Sequence, residues 1–187
     1  MTFKESGLEF DFNEKWSVKK YDAHRFYQRL SGAGLKAVDF IGIWKGEILV
    51  LMEVKNYKIR FNALKQLPIQ NILDDPDQLA ISVTKKVEDS LKAIDAIHSY
   101  YQRKWWYRLL LPFIRIFERT SVDWPFWTNV YNMIDSEKEI WVVLWLESEF
   151  AQGSLRKDLK TKIGKGLDEF TDNTFVCHSK KHPFKES

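Results

Sequence analysis

Along this chain, apolar residues either alternate or cluster in short runs, and elsewhere fall at intervals of three and four. The first pattern predicts strands and the second helices. Leu8 to Phe12 (LEFDF) alternates apolar and acidic, as a half-exposed strand would. A helix is expected from Asp22, a good N-cap residue, through HRFYQRL to an SGAG stop at Ser31 to Gly34. KAVDFIGIW from Lys36 then reads as a strand, KGE as a turn and ILVLMEVKNY as a second strand. Asn62 to Asp77, with Pro68 and Pro76, is expected to be irregular.

From Gln78 to Trp106 the spacing becomes helical. Leu79, Val83, Val87, Leu91, Ile94, Ile97 and Tyr101 form one apolar stripe, opposite Lys85, Lys86, Asp89 and Lys92. A basic and aromatic insertion follows over 103–135, broken by Pro112 and Pro125. Glu139 to Leu146 (EIWVVLWL) reads as a strand. Leu155, Leu159, Ile163, Leu167 and Phe170 mark an amphipathic helix with Arg156, Lys157, Lys160, Lys162 and Lys165 on its outer side. TFVCHS predicts a short last strand, and 179–187 a flexible tail. Helices and strands interleave along one domain, 1–187. That order predicts an α/β fold, a mixed β-sheet flanked by helices.

Composition narrows the class without choosing a function. With 187 residues, 44% hydrophobic and 29% charged, the chain is long enough for one core. A formal charge of +3 makes it no general polyanion binder, so nucleic-acid affinity would need a local patch. The single cysteine, Cys177, fits a reducing compartment and reads as a core filler. The N-terminus lacks a basic start followed by an apolar run, so no signal peptide is expected. The apolar run Leu109 to Ile114 is too short to span a bilayer. A cytoplasmic location is the expectation, with a membrane partner disfavoured and peripheral membrane association through the aromatic-basic insertion kept as a third function. Of eight tryptophans, five lie between Trp105 and Trp141. Packing against the sheet is their commonest role, with base stacking, a dimer surface or a membrane-lying patch as other readings. His24, His98, His178 and His182 have no metal-site spacing.

The chemistry sits in the hairpin. With Lys45, Gly46 and Glu47 as the turn, Trp44 faces Ile48 and Asp39 faces Glu53. Asp39, Ile41, Ile43, Leu49, Leu51, Glu53 and Lys55 then share one face, and Val38, Phe40, Gly42, Trp44, Ile48, Val50, Met52 and Val54 the other. Three charges converge at one end of one face. A one-residue slip would separate the carboxylates. Facing carboxylates repel and call for a cation, either Lys55 or a divalent metal bound through their oxygens. Lys55, on the same face, could orient or deprotonate an attacking water, or offset developing charge. The competing reading is a solvated strand end carrying a surface ion pair.

Val38-Asp39-Phe40 followed by Glu53-Val54-Lys55 resembles the PD-(D/E)xK nuclease superfamily, whose fold is restriction-endonuclease-like. Val38 stands where the motif has proline. Asp22, Glu9 and Glu14 are the candidates for the upstream acidic residue that many members carry, and Gln78 matches part of a later motif. A looser copy, Asp158-Leu159-Lys160, lies in the periodic helix and reads as a solvated face. The resemblance implies a restriction-endonuclease-like core with Asp39 and Glu53 holding Mg²⁺ or Mn²⁺ and Lys55 assisting the water. The expected activity is hydrolysis of nucleic acid, DNA before RNA. Lys85, Lys86, Lys92, Lys157 and Lys160 become phosphate contacts, and a homodimer is in keeping with nucleases that pair to cut two strands. An inactive module that binds nucleic acid or a protein partner is the alternative.

Overall fold

The computed structural model describes residues 1–30, 32, 34–57, 75–117, 122–136, 138–148, 151, 153–171 and 173–184. The strands are β1 (Thr2–Glu5), β2 (Leu8–Asp11), β3 (Trp16–Lys20), β4 (Phe40–Trp44), β5 (Ile48–Asn56), β6 (Ile140–Glu147) and β7 (Asn173–Cys177). The helices are α1 (Arg25–Leu30), α2 (Pro76–Gln102), α3 (Trp105–Leu110), α4 (Ile114–Phe117), α5 (Trp124–Asp135) and α6 (Gly153–Gly166), with a 3₁₀ turn at Leu111–Phe113.

Five strands form one mixed sheet in the order β3-β4-β5-β6-β7. β3, β4 and β5 are antiparallel neighbours, while β5, β6 and β7 run parallel. β5 is central and apolar on both faces, as a strand covered on both sides must be. Ile41, Leu49, Leu51, Val142 and Leu144 pack against Leu79, Val83 and Ile94 of α2, Trp127 of α5 and Leu159 of α6. Phe40, Val50, Met52, Val54 and Val143 pack against Phe10 and Phe12 of the β1–β2 ribbon. Helices therefore cover one face and a two-stranded ribbon the other.

The expected elements are present, with shifted ends. Pro76 and Asp77, expected in the irregular stretch, open α2: Asp75 caps it by accepting from Asp77 N–H at 3.1 Å, and proline suits the first turn. The rest of that stretch, up to 74, lies outside the described residues, as do Ser31 and Ala33 of the expected helix stop. α2 ends at Gln102, and Trp105 and Trp106 begin α3. Sequence reading left β1, β3 and α5 without assignment.

Two peripheral stretches are tied to the core. In 103–135, read as an insertion whose aromatic residues pack against the sheet, Trp127 and Val130 of α5 are wholly buried in the helix-side core. In the expected tail, His178 and Lys181 form a β-bridge, and the Phe184 ring packs on Trp16 with centroids 4.8 Å apart. Residues 185–187 lie outside the described residues. Among the described residues, no helix is long and apolar enough to cross a membrane.

Candidate active site

The hairpin has the expected register. Trp44 pairs with Ile48 and Phe40 with Met52, which carries Asp39 alongside Glu53. Lys45 and Gly46 both take positive φ, 54° and 73°, so the turn leans on the glycine. Val38 departs from the expected face and packs in the helix-side core, because β4 begins only at Phe40. Asp39 thus sits where the chain joins the sheet. Its carbonyl accepts from Tyr21 N–H at 2.8 Å, and its Oδ2 accepts from Val54 N–H at 2.6 Å. The carboxylate satisfies a β5 donor that a strand carbonyl would otherwise take.

Glu53 is only 1% exposed, which removes the solvated strand-end reading. Its Oε1 accepts from Lys55 Nζ at 2.6 Å and from Lys86 Nζ at 2.7 Å. Its Oε2 is buried without a hydrogen-bond partner among the described residues. Lys86, expected on phosphate, instead reaches into this site from α2.

A third and a fourth carboxylate join from earlier in the chain. Oxygens of Glu5, Asp22 and Asp39 lie within 4.8 Å of one another. Asp22 was one of the upstream candidates. Glu9 is not part of the group, since its carboxylate faces Lys4 at 3.9 Å on the outer side of the ribbon. Glu5 escaped sequence reading altogether. It ends β1, and the Ser6-Gly7 turn behind it has φ of 50° and 76°, the two positive values of a tight hairpin. Asn56 Nδ2 donates to Ser6 O at 2.9 Å and ties that turn to the end of β5. The Ser-Gly pair before an alternating strand was the available signal.

The electrostatics follow from burial. Desolvation and the neighbouring Glu53 charge push Asp39 up to about 7. Burial raises Asp22 as well, and its Oδ1 is buried without a partner among the described residues. For Glu5 burial works the same way, but the Lys20 ammonium at 2.7 Å and the Ser6 bonds outweigh it and hold the carboxyl low. Burial alone would lower Lys55; the charge and hydrogen bond of Glu53 overcome it and keep the ammonium charged.

The donor set suits a hard divalent cation. All four groups offer carboxylate oxygen, two of them have buried oxygens without partners among the described residues, and burial and the Glu53 charge push Asp39 towards protonation. Such a cation would be held by Asp39, Asp22 and Glu5, with Glu53 beside them.

The other basic candidates lie elsewhere. Lys85 bonds Asp89 at 2.9 Å, and Lys92 is exposed on α2. Lys157 and Lys160 line a cavity of about 920 Å³ with Arg156, Lys180 and Lys181. β5, β6 and β7 run parallel with Asn56 beside Glu147, so Lys55 and this cavity share one end of the sheet. Asp158 of the looser motif bonds Lys162 on the face of α6. His98 stacks on Tyr131 with centroids 3.6 Å apart. Cys177 is buried and pushed up to about 12 by desolvation, which suits a core thiol and not a nucleophile.

No protein-family model matches the chain, and neither a curated protein nor a solved structure does so. The sheet and the carboxylate–lysine centre are therefore what the functional reading rests on.

Proposed function

We propose that the chain is a metal-dependent phosphodiesterase acting on nucleic acid, DNA before RNA, on a restriction-endonuclease-like core. The observation that carries this reading is the convergence of Asp39, Glu53 and Lys55, joined by Asp22, at one end of the β4–β5 pair, with two buried carboxylate oxygens that have no partner among the described residues. Mg²⁺ or Mn²⁺, when bound, supplies positive charge that polarises a phosphate oxygen and acidifies water. The chain's own residues do the rest. Asp39, Asp22 and Glu5 gather negative charge in one pocket, and the Val54 N–H fixes the Asp39 carboxylate. Glu53 holds Lys55 as an ammonium, so Lys55 is suited to orienting an attacking water and offsetting charge on the phosphorane rather than to removing a proton. Lys86, reaching in from α2, bonds the same Glu53 oxygen at 2.7 Å.

Cleavage of single- and double-stranded DNA and RNA with Mg²⁺, Mn²⁺ or EDTA, run beside Lys55→Ala, tests this. Metal-dependent cutting that the variant lacks is expected. A second reading has its own support: two ammonium groups on one Glu53 oxygen balance that charge without any ion, as a binding module would need. Folded protein that retains nucleic acid on a gel but cuts none of the substrates would establish that module instead.

A further inference from the structure

Helical residues 105–117 carry two apolar stripes, one facing in and one facing out. Trp106, Leu110, Ile114 and Phe117 pack against the helix-side core. Trp105, Leu109, Phe113 and Ile116 are 75, 62, 55 and 68% exposed. Each set steps by four, four and three residues, the spacing of one helix face, across α3, the 3₁₀ turn and α4. Four large apolar side chains in one exposed row form a contiguous patch, and a patch of that kind marks an interaction surface.

The same surface is basic. Arg103, Arg108 and Arg115 are exposed, and Lys104 sits 4.7 Å from the Tyr100 ring. Residues 103–117 contain no Asp or Glu. Among the described residues none of the three arginines makes an ion pair.

We infer that this face docks on an anionic lipid surface. Trp105, Leu109, Phe113 and Ile116 enter the boundary between headgroups and acyl chains, and the arginines reach lipid phosphates on their long stems. Charge complementarity favours this occupant over a second copy of the chain, which would set arginines against arginines across a two-fold axis. Composition favours it over single-stranded nucleic acid, which binds by stacking on aromatic rings, because Leu109 and Ile116 are aliphatic. The surface is separate from the carboxylate centre, so the inference stands whether or not the protein cleaves nucleic acid.

Co-sedimentation of the full chain with vesicles of phosphatidylcholine, with and without phosphatidylglycerol, tests it. Binding to the anionic vesicles alone is expected, weakening with added salt. Leu109→Glu combined with Ile116→Glu should lower that binding by at least about tenfold, since two apolar anchors are lost. Both positions are exposed, so an unchanged circular dichroism spectrum should accompany the loss. Quenching of tryptophan fluorescence by brominated lipid supplies a readout on the native chain. Trp105→Phe should remove most of that quenching. Absence of anionic-vesicle binding by the native chain overturns the inference, as does binding that the double variant leaves intact. A dimer that the double variant splits, without vesicle binding by the native chain, would assign the face to self-association instead.

Discussion

Asp39 carries a testable consequence of being buried beside Glu53. Its folded value of about 7 against an ordinary 3.8 means that the folded chain holds this proton more tightly than the unfolded one. The resulting stabilisation is complete below about pH 4 and is lost as pH rises to about 7, a change on the order of a few kcal/mol. Asp39→Asn keeps an acceptor for the Val54 N–H and removes the titration. In EDTA, urea unfolding should therefore show the variant gaining on the native protein between pH 4 and pH 8; parallel curves would mean that Asp39 is not the titrating group. Mg²⁺ should raise the native melting temperature more at pH 8 than at pH 5, because only the ionised carboxylate attracts it. Glu53 makes a second prediction. Each of Lys55→Met and Lys86→Met leaves one cation on Oε1, so each should cost about 1–2 kcal/mol. The double variant leaves a buried unpaired carboxylate and should cost more than the sum, about 3–5 kcal/mol, with Glu53→Gln restoring most of it. Additive losses in a double-mutant cycle would show that the two lysines act on Glu53 independently. In the cleavage assay Lys55→Ala should lower the rate by about 100-fold or more while the fold survives.

The β4–β5 hairpin was legible because its information is local: a three-residue turn with glycine sets the register, and the register sets which charges meet. The helical stripes of α2 and α6 were legible for the same reason. What sequence missed depends on contacts between distant segments. Glu5 reaches Asp39 only because the β1–β2 ribbon lies on the outer sheet face and its turn is held by Asn56. Lys86 looked solvent-facing because it shares a polar face with Lys85 and Lys92. That face is not all solvent, however: Asp89 and Ser90 are buried on it, donated to by the backbone of Lys36 and Val38. α5 was read as part of an insertion because basic and aromatic composition does not distinguish a core helix from a surface one. Close packing of the ribbon face yields a prediction of its own. A Cβ on Gly42 would lie 3.1 Å from Trp16 Cζ3 and 3.3 Å from Val18 Cγ2. The Trp16 indole is itself wedged between Phe12 and Phe184, at 5.0 and 4.8 Å between centroids. Gly42→Ala should therefore destabilise by about 1–3 kcal/mol in chemical denaturation, despite alanine's lower chain entropy. A stabilised variant would mean that the indole gives way.

The net charge of +3 conceals an uneven surface. Acidic groups gather at the ends of β1, β4 and β5, while Arg156, Lys157, Lys160, Lys180 and Lys181 border the cavity beyond β6 and β7. The parallel run of β5, β6 and β7 brings both regions to one end of the sheet. A polyanion drawn to the basic side would thus run towards Lys55, and the acidic pocket would repel it unless cations were present. Arg156 Nε and Nη1 donate to the carbonyls of Ala151, Leu146 and Cys177, so this guanidinium is held in place, while Lys157 and Lys160 are exposed. Phosphate contacts release counterions, and each contributes about 0.9 to the slope of log affinity against log salt. Lys157→Glu combined with Lys160→Glu should therefore lower that slope by about 2 for double-stranded DNA, measured with Ca²⁺ in place of Mg²⁺ to suppress cutting. Lys85→Ala should change it less, because that ammonium already neutralises Asp89. If the α6 variant leaves the slope unchanged while Lys85→Ala lowers it, the nucleic acid approaches along α2, and the cavity beyond β6 and β7 serves some other anion.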